Sequence, residues 1–309
     1  MLRWVVMTSI TFVTCEPFGP VRPNGLTDDD ALTAAALQLA GHPVQAVRWD
    51  DAAADWGAFG LVVVRSPWDY FRRLPEFQAW LDRLERIGAR VHNPVAVMRT
   101  NLDKRYLIAL AEHGVAVTPT VLVARGTAPS LRALLVEHDW DQAVVKPAVS
   151  GGAFDTWQAS RTTASDSQAR FAGSVAGRDM LIQPFLAEIA QGGEWSLVFF
   201  HGVFSHALRK FPADGDFRVQ QSHGGTVAPA VAPREMIETA TAIIAQVPGP
   251  LLYARVDGVL TADGFLLMEL ELIEPELFVR TDPAAPARFA HAILRTLEAS
   301  TCPRGLEHT

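Results

Sequence analysis

Cysteine is almost absent from this chain. Two thiols, Cys15 and Cys302, occur in 309 residues. A disulfide framework is therefore not expected, and a reducing, cytoplasmic location is. Long hydrophobic runs are missing too. No apolar stretch reaches the roughly 18 residues that a membrane-spanning helix needs, and the N-terminus lacks the basic-then-apolar pattern of a secretory signal. Positive charge is in deficit, with 27 basic against 34 acidic side chains and a net charge of −7. Neither nucleic acid nor an anionic membrane is expected as a partner. There is no internal repeat and no low-complexity tract.

What is present is ample core material. Hydrophobic residues make up 49% of the chain, enough for two or three lobes. Residues 3–8 (RWVVMT), VQAVRW and LVVVRS read as strands. Between them Thr27, with Asp30 three residues on, opens a helix that Gly41 stops. Residues 75–87 read as a further helix. Strand–helix alternation implies an N-terminal parallel α/β domain, with ligands at the carboxyl ends of its strands. RSPWDY (65–70) lies at one such end. The Pro- and Gly-rich segment CEPFGPVRPNG is a loop. Its Cys15 reads as a small packing or loop residue, because no histidine stands near it in sequence. The acidic run Asp28-Asp29-Asp30 reads as a complement to a helix N-terminus.

Downstream, residues 101–113 read as helical, 143–147 as a strand, SGGAF (150–154) as a glycine loop and 180–185 as a strand. EWSLVFF and VFSHALRK read as an antiparallel pair turning at His201-Gly202. Residues 124–138 and 158–180 are polar, Ala-rich and expected at the periphery. Residues 303–309 are expected to form a tail outside the fold.

The stretch FLLMELELIEPELF (265–278) is as apolar as a buried strand, yet Glu269, Glu271, Glu274 and Glu276 interrupt it. Buried carboxylates need a partner or a metal. Around the sequence TADG the register decides which. A two-residue Asp-Gly turn would put Asp257 opposite Leu270. A three-residue loop, Ala262-Asp263-Gly264, puts Asp257 opposite Glu269 and Arg255 opposite Glu271. One face is then core and the other a cluster of acids with one arginine. Such oxygen ligands suit Mg²⁺ and, with no histidine among them, do not suit zinc. The alternative is a salt-bridge ladder built on Arg255. Lys146, just before Ser150-Gly151-Gly152, suits a phosphate clamp, although a solvated strand-end lysine is the plainer reading. Arg209, Lys210 and Arg218 add a basic group.

These motifs resemble the ATP-grasp superfamily: NLDKRYL, VVKPAVSGG, LIQPFLAEI, GGEWSLVFF, RKFPADGDFRVQQSHGG and RVDGVLTADGFLLMELEL follow one another in its order. The resemblance implies an α/β chain with α+β ATP-binding lobes. The N-terminal α/β domain spans 1–98, a central lobe 99–185 and a C-terminal lobe 186–302. It implies that Lys104 and Lys146, with the Ser150-Gly151-Gly152 loop, contact the phosphates of ATP. Backbone at Gln183, Phe185 and Leu186 then reads adenine, and Glu194 holds the ribose. Arg209 and Arg218, with Lys146, cover the transferred phosphate, and Asp257, Glu269 and Glu271 hold Mg²⁺. Glu271 stands where the superfamily usually has asparagine. VVVRSPWDY, together with IQPFLAEIAQGGEWSLVFFHGVFSHALRK and GDFRVQQSHGG, is similar to the O-ureido-D-serine cyclo-ligase group. That implies an amino-acid-like substrate whose carboxylate is phosphorylated and then attacked by its own nitrogen. Arg65 and Asp69 are candidates for the anion and ammonium contacts, with Trp68 and Tyr70 as walls. A two-substrate carboxylate–amine ligase and a non-catalytic nucleotide-binding protein are the rival readings. Self-association is left open.

Overall fold

Period-two burial organises the chain into three sheets. The computed structural model describes residues 9–16 and 25–299. The strand expected over 3–8, most of the loop that follows the first strand, Cys302 and the tail at 303–309 lie outside the described residues.

The first sheet is parallel, in the order β2-β1-β3-β4. It comprises β1 (Ile10–Thr14), β2 (Val44–Arg48), β3 (Leu61–Ser66) and β4 (Val91–His92). Alternation sends Val13, Val62 and Val64 to one face, where they meet Trp56, Phe77, Trp80 and Leu81. Phe77, Trp80 and Leu81 belong to α2 (Leu74–Arg86). Ile10, Phe12, Leu61 and Val63 face the other way. There they pack with α1 (Asp28–Leu39) and with a helix from the far end of the chain, α9 (Ala285–Ala299). Thr27 caps α1 as expected, its hydroxyl accepting from the Asp30 N–H at 3.1 Å.

The helix expected over 101–113 is two helices, α3 (Val95–Asn101) and α4 (Tyr106–Glu112). Lys104 sits in the connection, where its N–H donates to the Ala148 carbonyl at 2.8 Å.

A second sheet has the order β5-β8-β6-β7, with β5 (Val121–Val123), β6 (Gln142–Pro147), β7 (Trp157–Ser160) and β8 (Met180–Pro184). The polar segments expected at the periphery supply its cover. These are α5 (Leu131–Glu137) and α6 (Ala164–Gly177), which bury Leu131, Leu135, Phe171 and Val175 against Ala143 and Val145. Val144 and Lys146, between those apolar positions, face the other way.

The third sheet is antiparallel, in the order β11-β10-β9-β12-β13. After the short α7 (Glu188–Gly192) come β9 (Glu194–Phe200), β10 (Val203–Phe211) and β11 (Thr226–Ala230). Then follow α8 (Arg234–Ala245), β12 (Tyr253–Thr261) and β13 (Gly264–Glu271). Helix α8 and Leu107 of α4 cover one face of this sheet. The open faces of the second and third sheets look at each other across a cleft.

Candidate functional site

The cleft encloses about 1080 Å³. Its floor is the uncovered face of β9, β10, β12 and β13. The expected pairs Asp257–Glu269 and Arg255–Glu271 form, but by another route. Thr261 pairs directly with Gly264, leaving a two-residue loop of Ala262 and Asp263. A bulge at Met268 then shifts the register, because Gly258 pairs with Leu267 while Asp257 pairs with Glu269. The bulge draws the strands together at Gly258. A Cβ there would lie 2.4 Å from the Leu266 carbonyl oxygen, which only glycine tolerates.

Cations thread this floor of acids. Buried Asp257 accepts from Ser196 Oγ at 2.6 Å, Arg255 Nε at 3.0 Å and Lys210 Nζ at 3.1 Å. Lys210 also pairs with Glu194 at 2.5 Å. Arg255 reaches Glu271 as well. Lys104 donates to the Ser150 carbonyl at 2.6 Å and pairs with Glu269 at 3.1 Å. Burial alone would raise the Asp257 carboxyl, but Arg255 and Lys210 hold it at about 2. For Glu269, Lys104 and Lys146 outweigh burial and hold the carboxyl below its ordinary value. Glu271 goes the other way. Burial, aided by Asp257, Glu269 and Glu274 and opposed by Arg255, pushes it up to about 8. The same burial lowers the Lys146 ammonium.

The salt-bridge ladder is thus the arrangement present. Among the described residues no three His, Cys, Asp or Glu side chains come together at metal-binding spacing. The donor set still fits a hard divalent cation. It is oxygen only, and Glu269 and Glu271 are partly open to the cleft. Asp257 would join such a metal by yielding an oxygen now held by Arg255 or Lys210.

Of the residues picked out from the sequence, Lys104, Lys146, Ser150, Gly151, Gly152, Gln183, Phe185, Leu186, Glu194, Arg218, Asp257, Glu269 and Glu271 all line this cleft, with Trp68 and Tyr70 on its N-terminal wall. Arg218 is bonded to Asp216 (2.7 and 3.0 Å), and the Phe185 N–H is spent on the Gln142 carbonyl. Three residues do not reach the cleft. Arg65 follows the strand alternation onto the α9 side, 2% exposed, where it pairs with Asp30 at 2.8 Å and stacks over Tyr253 and Phe289. Asp69 is bound to the Trp49 indole N–H at 2.6 Å. Arg209 lies on the opposite face of the third sheet, donating to the Gly192 carbonyl between Trp195 and Phe211. The cause is a bulge at Ser205. Phe204 pairs with Phe199, His206 with Val198, and so Lys210, not Arg209, pairs with Glu194. Without that extra residue Arg209 would face the cleft. Lys210, Ser196 and Glu274 were not assigned a role from sequence; the basic character of Lys210 and the place of Glu274 in an apolar run were the signals there.

Comparison with known proteins agrees with this architecture. Residues 10–93 match the model of the D-cycloserine synthetase DcsG N-terminal domain. The chain is 33% identical over 277 residues to the cycloserine biosynthesis protein DcsG of Streptomyces lavendulae, covering 85% of this chain and 92% of the relative. It superposes on the crystal structure of D-cycloserine synthetase DcsG with a TM-score of 0.82 and 31% identity, covering 93% of this chain and 99% of that one. The ATP-grasp ligase PsnB, solved with minimal precursor, Mg and ADP, shares the fold at a TM-score of 0.63 and 17% identity, over 94% of this chain and 99% of that one. An ATP-grasp cleft, a matching N-terminal domain and this degree of identity along most of both chains make the protein an ATP-dependent ligase that belongs to the D-cycloserine synthetase family.

Proposed function

We propose that the chain cyclises O-ureido-D-serine to D-cycloserine, consuming ATP and water and releasing ADP, phosphate, ammonia and carbon dioxide. The observation that carries this reading is one continuous cleft. Lys146, the Glu269–Glu271 acids and the Trp68–Tyr70 wall of the N-terminal unit all open into it.

A carboxylate is a poor electrophile because oxide would have to leave. Transfer of a phosphoryl group to it provides a good leaving group, and such transfer needs placement and charge cover more than covalent help. Lys146 has no hydrogen-bond or ion-pair partner among the described residues, which leaves its ammonium free for a phosphate. Lys104 orders the glycine loop through Ser150 and adds a second positive charge. Arg218 gives a third at the opposite wall. Bound Mg²⁺ would neutralise phosphate charge from Glu269 and Glu271, with Asp257 behind them. Trp68 and Tyr70 confine the substrate, so that its own nitrogen attacks the activated carbonyl and expels phosphate. The attack is intramolecular, so proximity replaces a second substrate site.

The test is ADP release across a panel of amino acids, O-ureido-serines of both configurations and added amines, with products separated chirally. Cyclised product from O-ureido-D-serine alone is the expected result. ADP release that requires an added amine, without cyclisation, would identify a two-substrate ligase instead.

A further inference from the structure

The glycine loop is clasped by the N-terminal unit. Phe71 follows Tyr70 of the cleft wall, and its ring is wedged into the loop. A Cβ on Gly151 would come within 3.1 Å of it, and the Phe154 ring lies 5.2 Å away, centroid to centroid. The Arg72 guanidinium sits over both rings, at 5.6 Å from Phe71 and 5.8 Å from Phe154. From the loop's other side Arg178 covers Phe154 at 5.5 Å and pairs with Asp155 at 2.6 Å. Phe154 remains 38% exposed. Its contacts therefore come from Phe71, Arg72 and Arg178 around the ring rather than from a buried core.

We propose that Phe71 and Phe154 are positioning residues, a clasp that holds the 150–155 loop over the phosphates only when the N-terminal substrate wall is in place. The proposal rests on the ATP-dependent reading of the cleft. Trp68 and Tyr70 line the substrate end, and Phe71 and Arg72 continue the same segment to the loop. Order at the substrate wall is thereby transmitted to the lid, and phosphoryl transfer is discouraged while the substrate end is open to water. Aromatic and cation–π contacts of this kind are together worth about a tenfold shift in a closing equilibrium.

The experiment is a double-mutant cycle on the full chain with Phe71→Leu, Phe154→Ala and the pair, and Phe154→Tyr as the conservative variant. Three quantities are read. They are the affinity for a nonhydrolysable ATP analogue, hydrogen-exchange protection of residues 150–155 by that analogue, and the ratio of ADP released to product formed. We expect about tenfold weaker nucleotide binding and lost protection in each single mutant, no further loss in the pair, recovery with Tyr, and ADP release that runs ahead of product. Additive losses, or unchanged protection in Phe154→Ala, would overturn the clasp. Binding and exchange need no amino-acid substrate. They therefore stand even if the cyclisation reading fails, and an altered substrate preference alone cannot mimic them.

Discussion

Lys146 faces the cleft with burial lowering its ammonium and no protein anion bonded to it. Its charge is desolvated with no bonded anion, and the attraction of Glu269 and Glu194 offsets only part of that cost, so the residue contributes little to the fold. Lys146→Ala should therefore leave the circular dichroism spectrum and melting temperature unchanged or slightly improved. ADP release should fall by about a hundredfold or more, as when a single charge-stabilising donor is removed from an active site. Near-normal release by the folded mutant would take Lys146 out of the site. Glu271 makes a prediction about pH. Its folded value, pushed up to about 8 by burial and by Asp257, Glu269 and Glu274, lies above that of the unfolded chain. The fold prefers the protonated form. That preference is fully present below the ordinary carboxylate range and is lost as pH rises through about 8. In the ligand-free protein Glu271→Gln should raise the melting temperature relative to the parent at pH 8.5 and leave the difference small at pH 5. A mutant advantage that grows toward acid pH would refute the assignment. The sequence put these acids on one face with Arg255 only through a three-residue loop, which the structure replaces with a two-residue loop and a bulge. It could not say that Lys104 and Lys210 would reach them, since both partners come from strands and turns remote along the chain.

At the scale of elements, two bulges decide what the cleft contains. Hydrophobic alternation made β9, β10, β12 and β13 legible, and His201-Gly202 and the Ala262-Asp263-Gly264 segment made both hairpins legible, although the second loop has two residues rather than three. Counting outward from a turn gives a register only if no residue is skipped. Skipping Ser205 exchanges Arg209 for Lys210 on the cleft face, and skipping Met268 restores the Asp257–Glu269 pair that a two-residue loop would have lost. Bulges depend on close backbone approach, which a hydropathy pattern does not record. Gly258 is the one local trace. Gly258→Ala should force its Cβ against the Leu266 carbonyl and the Phe265 ring, at a cost of about 1–3 kcal/mol. If the bulge straightens in response, every cleft-facing side chain of β13 moves out of register. The measured signature should be a lower melting temperature together with loss of ADP release that high ATP does not rescue. A stable mutant with normal turnover would show that the bulge does not set the site.

For the whole molecule, the N-terminal unit and the rest share a core. The sequence suggested an N-terminal α/β domain from its strand–helix alternation, and the superfamily resemblance gave its span as residues 1–98. It did not reveal that the sheet of that unit is finished by the opposite end of the chain. Ile10, Phe12, Leu61 and Val63 pack with Phe200 and Tyr253 of the third sheet and with Phe289 and Ile293 of α9. Polar bonds weld the same seam. Fully buried Asn93 donates to the carbonyls of Tyr253 (2.9 Å) and Leu272 (2.7 Å) and accepts from the Leu252 N–H at 2.7 Å. The Tyr253 hydroxyl lies between the carbonyls of Val64 (2.5 Å) and Ile273 (2.8 Å), and its one proton is shared between them. Cut at residue 98, the first sheet would keep α1 on that face but expose to water the part that α9 and the third sheet cover. Residues 1–98 expressed alone should therefore show no cooperative thermal transition, while the full chain melts its N-terminal and third-sheet signals together. Asn93→Ala tests the seam within the intact protein. It leaves two carbonyls and one N–H buried without partners, on the order of 1–3 kcal/mol for each group. The melting temperature should drop by many degrees with the transition still single. A mutant that instead melts in two steps, with tryptophan fluorescence from the α2 side preceding the rest, would mean that the units are independent. The cleft between them would then owe its shape to ligand rather than to the shared core.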